Sequence, residues 1–192
     1  MAHDRGGHAC PGSPVHTVDT VDTAPEDSRD PLKALEAKFG KVLNIHGEMA
    51  HSPVALHSYA ALQGVITDYG TFDARTRGAI ALAVGNVDYC TYCQSAHTVA
   101  GKAAGLSKEQ TVAIRENRVD FDPKLGALLA VAREAAGNVG EVDDRTWQAA
   151  VDAGWTDTEL TELSVHISLN LFTNYSNHLV GTELDLPAAP GL

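Results

Sequence analysis

Proline-led helix starts and glycine stops constrain the fold of this chain more than any other feature. Asp30-Pro31, Ser52-Pro53 and Asp122-Pro123 each place a capping side chain before a proline, as at a helix N-terminus. Ser107 to Gln110 and Thr156 to Glu159 have the spacing of capping boxes. Glycines that follow at helical distances predict the ends of these segments: Gly40, Gly70, Gly105, Gly137 and Gly154.

Between these signals the apolar residues recur every three or four positions and do not alternate. Tyr59, Leu62, Ile66 and Tyr69 form one such series. No series typical of a β-strand accompanies it. The sequence therefore predicts an all-α bundle of about seven or eight helices.

The chain divides into three parts by composition. Residues 1–30 have few large apolar side chains and many His, Asp, Thr and Pro, which predicts a flexible leader. Residues 31–187 form the helical domain, and residues 188–192 form a short tail. The leader holds four residues of metal-ligating type, for which stray side chains on a mobile tail are the simpler interpretation: His3, His8, Cys10 and His16.

Charge and hydropathy exclude several classes of function. With 14 Lys and Arg against 25 Asp and Glu, the net charge of −11 repels nucleic acids and anionic membranes. Apolar runs are broken well before the roughly 20 residues that a membrane span needs. Asp4 and Arg5 lie where a signal peptide would need an apolar core, so we expect a cytoplasmic protein with reduced thiols.

One segment, residues 85–107, has residues that suit a specific chemistry. Cys90, Cys93 and His97 are spaced three and four apart, so they share one face of a helix that Asp88 is placed to cap. A helix N-terminus stabilises a thiolate, and a nearby imidazole can carry a proton. This pattern predicts a redox-active dithiol that closes a disulfide.

Two other interpretations of the same three residues stay open. Cys-x2-Cys-x3-His offers three zinc ligands, although a structural zinc site needs a fourth that the sequence does not supply. Alternatively, the two thiols and the imidazole pack in a helical core without any chemistry. A thioredoxin-like domain would require a βαβ context that is missing here.

The run TRGAIALAVGNVDYCTYCQSAHTVAGKAAGLS, residues 76–107, resembles the core motif of the carboxymuconolactone decarboxylase and AhpD-like alkylhydroperoxidase superfamily. A looser similarity extends over residues 45–187. The resemblance implies an AhpD-like all-helical fold that assembles into dimers, trimers or hexamers, with the CxxC helix near the subunit contacts.

The hydroperoxidase branch of that superfamily also implies roles for individual residues. Cys93 would attack the hydroperoxide, Cys90 would resolve the product as a disulfide, and His97 would relay protons. The position of the helix N-terminus alone favours Cys90 as the attacking thiol. No tightly bound cofactor is implied, and the reductant would be an external thiol or a lipoyl-bearing protein.

The chain departs from the family pattern at Gly78, where the motif has a relay glutamate twelve residues before the first cysteine. Positioned acid–base help is typically worth about a hundredfold in rate. Two alternative functions therefore stay open. One is a lyase or isomerase in a specialised pathway, and the other is a non-catalytic binding or redox-sensing protein.

Other polar residues are candidates to replace the glutamate or to line a pocket. The stretch NIHGEMAHSPVALH, residues 44–57, supplies His46, Glu48, His51 and His57. The last long helix has a polar stripe that either lines a pocket or forms a hydrogen-bonded seam: His166, Asn170, Asn174 and Asn177. Tyr89 and Tyr92 flank the cysteines, and Tyr92 is a candidate substrate contact.

Overall fold

A computed structural model describes residues 18–191 of the chain, and this part contains nine α-helices and no β-strand. The all-α prediction is confirmed. The helices are α1 Glu26–Phe39, α2 Asn44–Ala50, α3 Pro53–Tyr69, α4 Ala74–Val87, α5 Thr91–Ala103, α6 Lys108–Arg115, α7 Pro123–Gly137, α8 Asp144–Asp152 and α9 Asp157–Val180. The short α2 has no sequence signal at its start, because Leu43 precedes it and provides no side-chain cap.

Most of the predicted helix ends are formed by the expected side chains. Ser52 and Asp122 accept hydrogen bonds from the backbone N–H groups of residues three positions further on. The capping boxes that begin at Ser107 and Thr156 are both present. Gly40 ends α1 with φ of 79°, a left-handed conformation that glycine adopts without steric strain.

The start of the first helix was predicted wrongly. α1 begins at Glu26, and Pro31 lies inside the helix instead of at its first position. Because proline has no N–H, the carbonyl oxygen of Asp27 has no donor four residues further on. The Nε2–H of His57 on α3 donates to this oxygen at 2.9 Å. A contact from another helix therefore replaces the hydrogen bond that the proline removes.

Parts of the predicted leader and tail pack against the helical domain. Ala24 and Ser28 are buried, and residues 18–19 lie directly against Gly47 of α2. At the other end, the buried Ala189 donates its N–H to Ser95 Oγ at 3.1 Å. Residues 1–17, which include Cys10 and the other metal-ligating types of the leader, lie outside the described residues.

Helix α4 is the centre of the bundle and packs against α5, α6, α7 and α9. Every residue from Gly78 to Gly85 is buried, as the unbroken run of small and aliphatic side chains allows. One core cluster joins α4 to α7 and α9 through side chains such as Leu82, Leu128 and Leu163. A second joins the first three helices to α5 and α9, and it includes both Cys90 and Cys93.

Candidate dithiol site

The turn between α4 and α5 positions the first cysteine. Tyr89 adopts a left-handed conformation with φ of 55°, and the chain then enters α5 with Cys90 at the N-cap. The Sγ of Cys90 accepts the N–H of Cys93 at 3.3 Å. Asp88, the expected cap of α5, instead follows the last residue of α4. The cysteine therefore caps its own helix, which places its sulfur at the positive end of the helix dipole.

Helix α9 holds Asp88 and both sulfur atoms from the opposite side. Asn174 donates to Asp88 Oδ2 at 2.8 Å, and the Nε2–H of His178 donates to the Asp88 carbonyl at 2.9 Å. The Nδ2 of Asn177 lies 3.1 Å from Cys93 Sγ and 3.8 Å from Cys90 Sγ. One buried amide therefore contacts both sulfurs of the dithiol.

The two thiols lie in different electrostatic surroundings although both are only 2 % exposed. Interaction with the Cys93 thiol, opposed by burial and helped by the Cys93 N–H, lowers the pKa of Cys90 to about 7. The charge of His178 acts in the same direction. Interaction with Cys90 and burial raise the pKa of Cys93. The pair therefore loses one proton near neutral pH, and the charge resides on Cys90.

A cavity of about 550 Å³ lies next to Cys93. Its lining is mainly apolar and comes from α1, α2, α3, α5 and α9, with Leu43, Ile45, Val99 and Leu169 among the aliphatic side chains. Its polar lining comprises Lys38, Lys41, His46, Tyr59, Gln63, Tyr92, His97, Asn170 and Thr173. Cys90 does not line this cavity. The structure thus gives Cys93 the access and Cys90 the charge.

His97 lines the same cavity as Cys93 and also a second cavity of about 260 Å³. Burial lowers the pKa of His97 to about 4, so the imidazole is neutral at physiological pH and can accept a proton. Within residues 18–191 the ring has no hydrogen-bond partner. Cys93 and His97, which the spacing places on one face of α5, therefore both line the larger cavity, whereas Cys90 lies at the N-cap of this helix.

Gly78 and His166 both line the second cavity. A Cβ atom at Gly78 would lie 3.2 Å from the Cα of Gly101, so this glycine permits close packing of α4 on α5. His166 Nε2 lies 3.0 Å from Glu162 Oε1, and burial lowers the pKa of this imidazole. No carboxylate takes the place of the expected glutamate among the described residues that line either cavity.

Several candidates from the sequence lie elsewhere or are engaged in structural contacts. Glu48 and His51 line neither cavity, and His51 Nδ1 lies 3.0 Å from Asp19 Oδ2. Tyr92 lines the larger cavity, but its hydroxyl donates to Asp185 Oδ1 at 2.8 Å and accepts from the Ile45 N–H. The polar stripe on α9 is divided: Asn170 lines both cavities, whereas Asn174 and Asn177 hold Asp88 and the sulfurs.

Tyr59 and Gln63 of α3 are functional candidates that the sequence did not reveal. They line the larger cavity one helical turn apart, and the Gln63 amide donates to the Tyr59 hydroxyl at 3.4 Å. Burial raises the pKa of Tyr59 to about 12. In the sequence, Tyr59 belongs to an apolar helical series. The one local signal of a polar site is Gln63, which follows four residues later and therefore lies on the same face of the helix.

The described part of the chain contains no group of three or more His, Cys, Asp or Glu side chains that could hold a metal ion. Cys90, Cys93 and His97 are therefore not arranged as the ligand set that the zinc interpretation requires. None of the nine helices within residues 18–191 is both long enough and apolar enough to span a membrane.

Residues 53–134 match the carboxymuconolactone decarboxylase family. The chain is also 30% identical over 86 residues to uncharacterized protein 4 in the cox locus of Paracoccus denitrificans, a match that covers 45% of this chain and 76% of that protein. This chain therefore belongs to the carboxymuconolactone decarboxylase family, as the motif around the two cysteines predicts.

Solved structures share the fold at low sequence identity. One is an AhpD-core, peroxidase-related protein from Ralstonia eutropha JMP134, with a TM-score of 0.79, 20% identity and coverage of 91% of this chain and 94% of that one. Another is the debrominase Bmp8 in complex with 2,3,4-tribromopyrrole, with a TM-score of 0.76, 17% identity and coverage of 91% and 93%. The AhpD-like fold is thus confirmed.

Proposed function

We propose that this protein reduces organic hydroperoxides with the Cys90–Cys93 dithiol. The observation that carries the proposal is the division of roles between the sulfurs. Cys93 faces an apolar cavity of about 550 Å³, and Cys90 behind it has a pKa lowered to about 7. A peroxidatic thiol needs both a route for substrate and a local means of losing its proton.

The first step transfers one oxygen atom to Cys93. Its sulfur attacks the terminal oxygen of the hydroperoxide, the O–O bond breaks, and Cys93 becomes a sulfenic acid while the alkoxide leaves. The thiol proton of Cys93 passes to the Cys90 thiolate. His97 relays a proton from solvent to the alkoxide, which yields the alcohol. The amide of Asn177 stabilises negative charge on either sulfur because it lies close to both.

The second step closes the disulfide. The Cys90 sulfur attacks the sulfur of the sulfenic acid, and the Cys90 proton leaves with the displaced hydroxyl as water. Two electrons and two protons from an external dithiol, such as a lipoyl group carried by a protein, return the pair to its reduced state. In this scheme Cys90 performs the proton transfer for which the family motif has a glutamate at the position of Gly78.

The test is peptide-resolved mass spectrometry of the reduced protein before and after a stoichiometric dose of cumene hydroperoxide, with free thiols alkylated. We expect a Cys90–Cys93 disulfide. Cys10 should stay a free thiol, so that it is alkylated and serves as the internal control. In Cys90→Ser, which lacks the thiolate that takes the Cys93 proton, the sulfenic acid should form on Cys93 more slowly than the disulfide forms in wild type. Without a resolving thiol it should then persist, so that dimedone traps it. The proposal is wrong if the folded protein keeps both thiols, or if Cys93→Ser is oxidised as fast as wild type.

Reductive dehalogenation is a second candidate, because the debrominase shares the fold and the cavity next to Cys93 has an apolar lining. Release of bromide from 2,3,4-tribromopyrrole, in step with disulfide formation, would favour it over peroxide reduction. A lyase or isomerase that does not use the thiols would retain activity in the double variant Cys90→Ser/Cys93→Ser. A redox sensor would form the disulfide without sustained turnover.

A further inference from the structure

The smaller cavity is lined by two cationic side chains that the peroxidase proposal does not use, and Glu162 lies behind its wall in contact with His166. Lys38 and Arg77 line it, and none of the described residues that line it is an Asp or Glu. His97, which also lines it, is neutral at physiological pH because burial lowers its pKa to about 4. Two cations in a lining without an acidic residue are notable in a chain with a net charge of −11.

The guanidinium of Arg77 differs from those of other half-buried or buried arginines. Arg75 pairs with Asp122 Oδ2 at 3.1 Å, and Arg115 and Arg133 donate to backbone carbonyl oxygens. Arg77 is half-buried and makes no hydrogen bond or ion pair within residues 18–191, although its charge helps to lower the pKa of Asp73 one turn earlier on α4. Its charge also helps to lower the pKa of His166, which lines the same cavity.

The two cavities adjoin. Six residues line both of them: Lys38, Gln63, His97, Ala100, Leu169 and Asn170. An elongated molecule can therefore place an apolar chain in the larger cavity, next to Cys93, and a polar head in the smaller one, next to Arg77. Because a guanidinium binds a carboxylate through two parallel hydrogen bonds, a carboxylate head matches this end.

We propose that the smaller cavity is a carboxylate-binding subsite, and that the substrate is an amphiphilic carboxylic acid whose hydroperoxide group lies on its apolar chain. Arg77 is the principal anion ligand, with Lys38 at the rim. The reaction at Cys93 rests on the proposed function, whereas the binding of the acid does not. Gly78 contributes by presenting no side chain beside Arg77 in this cavity.

The binding test compares octanoate with 1-octanol, which has the same chain and no charge, by isothermal titration calorimetry on the reduced protein. We expect the wild type to bind octanoate at least about tenfold more tightly than 1-octanol. Arg77→Gln should abolish this preference, and Arg77→Lys should keep part of it. Arg75→Gln is the matched control, because Arg75 is two residues away, is paired with Asp122 and lines neither cavity.

A reaction test separates the subsite from the thiol chemistry. Linoleic acid hydroperoxide and its methyl ester are compared in the rate of Cys90–Cys93 disulfide formation, with circular dichroism to check that each variant is folded. In wild type and Arg75→Gln we expect the acid to oxidise the dithiol about tenfold faster than the ester does. In Arg77→Gln we expect the acid and the ester to react at the same rate.

Equal affinity for octanoate and 1-octanol in the wild type, or a preference that survives Arg77→Gln in folded protein, overturns the subsite. Tight octanoate binding through Arg77 combined with unreactive thiols would instead retain the subsite and overturn the peroxidase proposal.

Discussion

Cys90 is the residue on which the pH dependence of the dithiol depends, since its pKa is lowered from 9 to about 7 and that of Cys93 is raised. We expect the rate of dithiol oxidation by hydroperoxide to rise about tenfold per pH unit below pH 7 and to level off above it, because the Cys90 thiolate takes the proton of Cys93. Stopped-flow measurement of disulfide formation across this range checks the profile.

The lowered pKa of Cys90 also makes the free energy of unfolding of the reduced protein depend on pH. An acid whose folded pKa is lower than its unfolded value stabilises the fold above the unfolded pKa, and this contribution is lost as the pH falls through the folded value. The Cys90 contribution in the reduced protein should therefore grow from about pH 7 towards pH 9. Cys90→Ser should remove that slope in urea unfolding experiments, and an unchanged slope would contradict the assignment of the charge to Cys90.

Asn177 is one of the side chains that lower the pKa of Cys90. Its Nδ2 contacts both sulfurs, and a leucine of similar volume would leave the charge on Cys90 without that donor. We expect Asn177→Leu to raise the pKa of Cys90 above about 7, which the ultraviolet absorption of the thiolate measures as a function of pH. Ser176→Ala is the control, because the Ser176 hydroxyl donates only to the Phe172 carbonyl. Identical titrations for wild type and Asn177→Leu would show that the amide has no such role.

At the scale of elements, the crossing of α4 and α5 sets the geometry of the site, and Gly78 sets the crossing. Alanine in place of glycine favours a helix by about 1 kcal/mol, but a Cβ at Gly78 would lie 3.2 Å from the backbone of Gly101. We expect Gly78→Ala to lower the free energy of unfolding by about 1 kcal/mol, since overpacking forces the two helices apart.

Gly64 on α3 provides the matched comparison for Gly78. A Cβ added at Gly64 would have no neighbouring atom within 4 Å, so Gly64→Ala should raise the free energy of unfolding by about 1 kcal/mol. Urea denaturation of both variants tests the pair. If the two substitutions stabilise the protein equally, the close approach of α4 and α5 is not what requires glycine at position 78.

The helices were predictable because their ends are encoded locally. Ser52, Asp122, Ser107 and Thr156 each cap a helix through contacts within three residues. The start of α1 was not predictable from local signals. Pro31 leaves the carbonyl oxygen of Asp27 without its helical donor, and His57, which lies 30 residues after Asp27 in the chain, donates to that oxygen instead. A sequence pattern records the missing N–H of a proline but not the distant side chain that compensates for it.

In the candidate site, too, the sequence predicted the local relations between residues but not the contacts between distant helices. The spacing of Cys93 and His97 predicts that they share a face of α5, and both line the larger cavity. The contact of Asn177 with the sulfurs joins α9 to residues 84 and 87 positions earlier, and Tyr59 and Gln63 reach the cavity from α3. Only the tertiary packing of helices brings such residues together, so periodicity could mark the α9 stripe as polar but could not assign its contacts.

At the scale of the whole molecule, α9 separates the dithiol from an apolar outer surface. Its Thr173, Asn174 and Asn177 are buried toward the α4–α5 turn, whereas Tyr175 is 60% and Leu179 is 78% exposed. Phe172 lies beside them on the same outer groove. Large exposed side chains that adjoin on one helix are typical of surfaces that a second protein covers. If a second copy of this chain covers this surface, the contact is isologous, with the same face of α9 on both sides.

The family resemblance implies a homo-oligomer with the CxxC helix near the subunit contacts, and we expect this face of α9 to form such a contact. Leu179→Lys should shift the protein toward the monomer, because an apolar contact would have to bury an unpaired ammonium group, whereas a cation near the helix C-terminus does not harm the isolated fold. Val139→Lys is the control, since Val139 is 99% exposed in the loop after α7. Sedimentation velocity measures the association state. A wild type that is monomeric at micromolar concentration, or a Leu179→Lys variant that associates like wild type, would show that this face is not the contact.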